Sequence, residues 1–299
     1  MAAIETHELT RRYGSRRGIE RVSLTVPEGS LFGFLGPNGA GKTTTIRVLL
    51  GFLRPSQGQA RVFGRDAWRD SATIKSDVGY LPGDLRLYPW MNGELALRIF
   101  GGVRGRDLMR EGRELAERFA LDLRVRVRNM SRGMRQKLGL ILALAPRPKL
   151  LILDEPTASV DPLMQGLLRA HLRALASTGH TVFFSSHSLG EVEQLCDRVA
   201  IVRDGLVVAD ESLEALRRRA GHEVTIRWRD SSATRALHPP PFLHFLEGDE
   251  SRWHAMLDGP VDELIRWLAP QAIEDLTIGR PDLETLFRRY YESQEHAGR

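Results

Sequence analysis

Cysteine is all but absent from this chain of 299 residues. The single thiol, Cys196 in "EVEQLCDRVAIV", excludes an internal disulfide and reads as a small core residue rather than a nucleophile or metal ligand. Lysine is nearly as scarce: Lys42, Lys75, Lys137 and Lys149 are the only ones, so the net charge of +5 rests on arginines scattered among acids. There is no compact basic block and no interleaved aromatic platform, so no nucleic-acid partner is expected. No apolar run approaches the roughly 18 residues that a membrane span needs, and "MAAIETHELT" lacks the charged-then-apolar pattern of a secretion signal. Together these absences predict a soluble, cytosolic chain, and its length predicts one large unit and one small one.

What is present is strand-then-helix alternation. "SLFGFLG", "KLLILD" and "HTVFFSSH" read as buried strands, each followed by a segment of helical period, which argues an α/β fold with a mostly parallel sheet. From about residue 84 to 145 the pattern turns mostly helical, as in "ELALRIF" and "REGRELAERFALDL", and predicts a helical insertion. Near Gly221 the character changes again. "EVTIRWR", "SRWHAML" and "AIEDLTI" read as strands, "PVDELIRWLA" and "PDLETLFRRYYE" as helices, the last opened by Pro281 with Leu283, Leu286 and Phe287 on one face. The predicted division is residues 1–220 and a small α/β unit over 221–299.

"GPNGAGKTTT", Gly36 to Thr45, follows a strand and opens an apolar helix, the context in which G-x-x-x-x-G-K-[ST] binds phosphate. Its glycines let backbone N–H groups wrap the anion, and the helix start adds partial positive charge. Lys42 reaches the β and γ phosphates, and the Thr43 hydroxyl ligates Mg²⁺. "LLILDEP" supplies acids at a buried strand's carboxyl end: Asp154 to hold Mg²⁺ directly or through water, and Glu155 to orient and polarise an attacking water. His187, closing "TVFFSSH", sits at a second strand end. A lone histidine is more often structural, but this placement makes it a candidate contact to the γ-phosphate.

"NMSRGMRQKLGLILALA" begins another helix with Ser131 as its N-cap and no strand before it. Arg132 there opposes the helix dipole by ~0.3 to 1 kcal/mol unless an anion or water compensates. A phosphate loop and a second anion-seeking helix in one chain suggest a nucleotide shared between two copies.

In the order "GPNGAGKTT", "GYLPGD", "MSRGM", "LLILDEPTASVD", "SSH", residues 2–220 resemble the nucleotide-binding subunit of ABC transporters, a P-loop NTPase fold. The resemblance implies an ATPase with ATP and Mg²⁺ bound by Gly36, Pro37, Asn38, Gly39, Ala40, Gly41, Lys42, Thr43 and Thr44, with Tyr13 stacked on adenine. It implies catalysis by Lys42, Glu155 and His187. Ser131, Arg132 and Gly133 stand where the signature would face the opposite subunit's γ-phosphate, and Ser159 to Asp161 at the dimer contact. The signature departs from Leu-Ser-Gly-Gly-Gln, reading Met130, Ser131, Arg132, Gly133, Met134. A glutamine that commonly touches Mg²⁺ is replaced by Gly83, leaving Asp84 or water to take its place. The ending "DLTIGRPDLETLFRRYY" is similar to the accessory domain of drug-efflux ATPases of the daunorubicin-resistance type. The implied partners are a second copy of the chain, joined with ATP, and a separate integral-membrane permease that keeps it on the inner face of the cell membrane. Two other readings stay open: a non-transport ABC ATPase acting on a ribosome, DNA or a protein complex, and a P-loop kinase or GTPase, which leaves "MSRGM" and His187 unexplained.

Overall fold

The continuous apolar runs form the central strands of the larger of two units. The computed structural model describes residues 1–14, 16–219, 221–229 and 237–279, and backbone contacts divide the chain into Met1–Leu213 and Glu214–Arg299. In the first unit, β3 (Leu31–Leu35), β6 (Val78–Leu81), β7 (Leu150–Asp154), β8 (Thr181–Ser186), β9 (Arg198–Arg203) and β10 (Leu206–Ser212) make one sheet in the order β10-β9-β3-β8-β7-β6. All its pairings are parallel except β10 on β9. Every residue of β3, β7 and β8 is buried, as strands covered on both faces require. Phe183 stacks on Phe32 at 5.8 Å and tilts against Phe34 at 5.2 Å, filling the space beside these strands.

Helices flank the sheet where the apolar period changes. α1 (Lys42–Leu49) follows β3, α2 (Ser71–Asp77) precedes β6, and α6 (Pro162–Ser177) and α7 (Leu189–Leu195) follow β7 and β8. Asp161 caps α6 by accepting from Met164 N at 2.9 Å, with Pro162 in the first helical position. Between β6 and β7 lie α3 (Gly93–Arg104), α4 (Met109–Arg118) and α5 (Arg132–Leu144). The stretch 84–91 of the expected helical insertion is not helical; the first helix waits for Asn92, whose side chain caps α3 through Leu95 N. Cys196 is buried beside β3, where a Cβ on Gly33 would lie 3.3 Å from its Sγ, and burial pushes its thiol pKa well up.

Two features have no counterpart in the sequence expectations. β1 (Ala2–Tyr13), β2 (Arg16–Pro27), β4 (Gln57–Val62) and β5 (Arg65–Asp66) form a separate antiparallel sheet, β2-β1-β4-β5. Register shifts between Thr6 and Leu9 and again before Arg11, with Glu8 and Arg21 at positive φ, break the two-residue alternation that would mark such strands. The β9–β10 hairpin turns through Asp204 and Gly205, both at positive φ, a tight-turn signal that the sequence does carry.

In the second unit β11 (His222–Trp228), β12 (Leu243–Gly248), β13 (Arg252–Leu257) and β14 (Ile273–Ile278) form an antiparallel sheet, β12-β13-β11-β14, with α8 (Leu213–Arg219) leading into it and α9 (Val261–Leu268) between β13 and β14. Its core joins Val224, Ile226 and Trp228 to Trp253, Leu264 and Leu268. β12 was not expected, because "LHFLEG" is mostly exposed and follows a proline run. The expected helix at Pro281, with Leu283, Leu286 and Phe287, lies outside the described residues.

On α6, His171 Nδ1 accepts from the Arg118 guanidinium at 2.6 Å, since arginine only donates, and its ring meets Phe119 edge-on. Burial, then Arg118, pushes its pKa down to about 4 from 6.5. Between those values the unfolded chain holds a proton that the folded chain refuses, so the stability tied to neutral His171 is intact above pH 6.5 and lost as pH falls towards 4. His171→Gln is expected to flatten this acid limb in urea unfolding run from pH 4 to 7; a slope equal to that of the unmodified chain would refute the assignment.

Candidate functional site

The loop between β3 and α1 is shaped by glycine. Gly39 and Gly41 hold φ of +84° and +106°, and a Cβ on Gly36 would lie 2.2 Å from the Val202 carbonyl oxygen. α1 carries no acid in its first turn, so its positive end is left for an anion. Lys42, at 6 % exposure, donates to the carbonyl oxygens of Gly36 at 2.5 Å and Pro37 at 3.3 Å. A cavity of about 480 Å³ opens here, lined by Pro37, Asn38, Gly39, Gly41, Lys42, Thr43 and Thr44 on one side and by Tyr13 on the other. Ala40 is buried beneath it and helps to close the turn, its N–H donating to Pro37 O. Tyr13 is exposed, its hydroxyl 3.5 Å from Thr44 Oγ1 and its ring under the Arg11 guanidinium.

The two acids at the end of β7 are treated differently by their surroundings. Asp154 is buried and accepts from the Thr43 hydroxyl at 2.7 Å and the Ser185 hydroxyl at 2.9 Å. Glu155 turns into the left-handed region, φ +52°, at a cost of ~1 to 3 kcal/mol for a residue other than glycine. That turn brings Oε2 to 2.7 Å from His187 Nδ1 and Oε1 to 3.1 Å from Lys42 Nζ. The lysine contact is an ion pair without hydrogen-bond alignment, so buried Oε1 keeps its lone pairs free to accept. Tyr80 faces the same place, and burial, then the Asp154 carboxylate, pushes its phenol up to about 12.

Thr43 and Asp154 are hard oxygen donors already side by side, a set that suits Mg²⁺, which binds through one or two protein groups plus water and phosphate oxygens. Among the described residues no cluster of three or more His, Cys, Asp and Glu that could hold a metal ion is present.

A second cavity of about 640 Å³ adjoins the first and brings Asn38, Thr43, Asp154, Glu155 and His187 together with Gly83, Asp84, Arg86 and Arg132. Ser131 and Gly133 line neither cavity. Ser131 caps α5 by accepting from Met134 N at 3.2 Å, and a Cβ on Gly133 would sit 2.9 Å from Ser159 O. Ser159 holds φ +71°, and a hydrogen bond from Met164 N keeps the Asp161 carboxyl below its usual range. The structure thus gathers Lys42, Thr43, Asp154, Glu155 and His187, and leaves Ser131, Gly133, Ser159 and Asp161 outside that group. Sequence reasoning missed Ser185, Tyr80 and Gln136, whose buried amide donates to the carbonyls of Glu155 and Pro156. Ser185 had a signal, its place two residues before His187 on a buried strand; Gln136 had only its place on the α5 helix.

A family model described as "ABC transporter" matches residues 19–158. The daunorubicin resistance ATP-binding protein of Streptomyces coeruleorubidus is 33 % identical over 95 % of this chain and 94 % of its own length. The bacitracin transport ATP-binding protein of Bacillus licheniformis is 36 % identical over 72 % of each. Among solved structures, the ATP-binding subunit of an ABC transporter superposes with a TM-score of 0.68 at 29 % identity, covering 73 % of this chain and 92 % of that one.

At the Pro82-Gly83-Asp84 corner, Asp84 is 74 % exposed and held by Arg86 at 2.9 Å, while a Cβ on Gly83 would stand 3.4 Å from Asp154 Oδ2, ordinary contact. A side chain can therefore start at Gly83, and both Gly83→Gln and Asp84→Ala are expected to change ATP turnover by less than about tenfold, ~1.4 kcal/mol. A collapse of steady-state phosphate release in Asp84→Ala would assign that carboxylate a direct part in the chemistry.

Proposed function

The chain belongs to the ABC transporter family, as an ATP-binding subunit that hydrolyses ATP, and from that premise we propose that two copies close on two ATP molecules to drive export through a separate membrane permease. Residues 1–220 are the nucleotide-binding part in this reading and 221–299 an accessory domain. The cargo is a drug or another small molecule or lipid, a direction supported by the named roles of the relatives in daunorubicin resistance and bacitracin transport. The observation that carries the reading is Glu155, whose carboxylate is held between Lys42 and His187 with a buried oxygen still free to accept.

Each residue then has a task. Loop N–H groups and the start of α1 take the phosphates, and Lys42 exchanges its pairing with Glu155 for the γ-phosphate. Released from that ion pair, Glu155 accepts a proton from water through Oε1 while His187 fixes Oε2. Thr43 and Asp154 would hold Mg²⁺, which supplies neutralisation of the charge on the β and γ phosphates. Ser131 and Gly133 line neither cavity, which supports their serving the partner's nucleotide, whereas Arg132 lines the second cavity beside Glu155 and His187; Ser159 and Asp161 are read as the contact between copies. No described helix is long and apolar enough to cross a membrane. The permease is therefore what would keep the chain on the inner face of the cell membrane.

Lys42→Ala is expected to abolish most ATP binding. Glu155→Gln should bind ATP but lose at least ~100-fold in turnover and accumulate as an ATP-bound dimer, read by light scattering. Only monomer with ATP and Mg²⁺ would count against a shared site. Affinity purification from native membranes is expected to recover a multi-span protein; salt-resistant recovery of ribosomes or DNA would instead favour a non-transport ABC ATPase.

A further inference from the structure

The loop after β7 holds two residues where side chains are disfavoured. Glu155 and Ser159, four positions apart in "EPTAS", take φ of +52° and +71°. The direction of the Glu155 carboxylate depends on that backbone. A return of φ to the ordinary right-handed region would redirect the Cα–Cβ bond and draw both oxygens away from Lys42 and His187.

Backbone hydrogen bonds account for only part of the hold. Glu155 N donates to Ser185 O at 3.1 Å, and Ala158 N returns to Glu155 O at 3.2 Å. A further tie comes from a side chain on α5. Gln136, five residues after Ser131 and 8 % exposed, donates its side-chain amide to Pro156 O at 3.1 Å and to Glu155 O at 3.4 Å. The same helix reaches the loop again at Gly133, which packs directly against Ser159 O. A glutamine that merely fills space has no need to bond both carbonyls flanking the Glu155–Pro156 link.

We propose that Gln136 is a positioning residue for ATP hydrolysis: its amide clamps the left-handed backbone at Glu155 and aims the carboxylate. Because Gln136 and the Ser131 cap belong to one helix, the anion-seeking end of α5 and the Glu155 carboxylate move as one piece. Nucleotide held at that end by the opposite copy would thereby set the aim of this chain's own carboxylate. The inference rests on the reading of Glu155 as the group that polarises the attacking water.

The test uses the full chain with Mg²⁺ and ATP. Gln136→Met keeps length and helix propensity but removes both donors. Its kcat is expected to fall roughly tenfold to a hundredfold, the scale of a misaimed catalytic group, with KM and equilibrium binding of ATP changed less than about twofold. In a Glu155→Gln background, single-turnover phosphate release should show no further loss on adding Gln136→Met, because the residue acts only through Glu155. Equal losses in both backgrounds, an unchanged kcat, or a loss confined to KM would overturn the inference. If Gln136→Met does not fold, judged by its thermal transition, Gln136→Asn carries the same expectation, since its amide is one methylene short of the carbonyls. Failure of both to fold would leave Gln136 a structural residue and reject the proposal. Near-normal turnover in Glu155→Gln alone would refute the reading of Glu155 itself, a result separate from any outcome at Gln136.

Discussion

The Lys42 side chain sits at 6 % exposure, and the cost of withdrawing an amino group from water has to be met by groups held against it. Two loop carbonyls and the Glu155 carboxylate do so. Much follows from that need. The carbonyls of Gly36 and Pro37 turn inward to the lysine, and the start of α1, with no acid in its first turn, is left to face an anion. Glu155 leans towards the lysine only because its backbone turns left-handed, and His187 then takes the other carboxylate oxygen. In the proposed reading, an entering triphosphate would exchange one partner of the lysine for another instead of creating a charge site anew.

The parallel sheet explains why these groups meet at all. In the order β3-β8-β7-β6, four neighbouring strands end at the same edge. With strands ~4.8 Å apart, their ends span only about 15 Å. The phosphate loop leaves β3, His187 leaves β8, Asp154 and Glu155 leave β7, and Gly83 leaves β6. A crevice at the carboxyl ends of such strands is where ligands bind this architecture. The helical insertion between β6 and β7 returns to the edge through α5, so the helix start capped by Ser131 is anchored to the backbone of Glu155 and Pro156.

The second unit is built by a different rule. Its sheet is wholly antiparallel and its core rests on Trp228, Trp253 and Trp267, whose rings lie 5.1 to 6.4 Å apart. Three of its four described strands and α9 follow from alternation and helical period in the sequence. β12 escaped because an edge strand buries little and so carries little pattern. The N-terminal sheet of the first unit escaped for the complementary reason: β1 and β2 are long, but their register shifts scramble the period by which a strand is recognised.

The sequence by itself determined the features that depend on near neighbours: the glycine-shaped loop with Lys42 and Thr43, the buried run ending in Asp154 and Glu155, and the cap at Ser131. Each is a local pattern whose physics closes within a few residues. Only the tertiary structure decided the partnerships across the sheet: Ser185 and Thr43 on Asp154, Lys42 and His187 on Glu155, and Gln136 on the backbone between them. Those pairs lie 19 to 113 residues apart in sequence, and no local propensity encodes which strand end stands beside which. Strand order does, and strand order is fixed by the packing of the whole core.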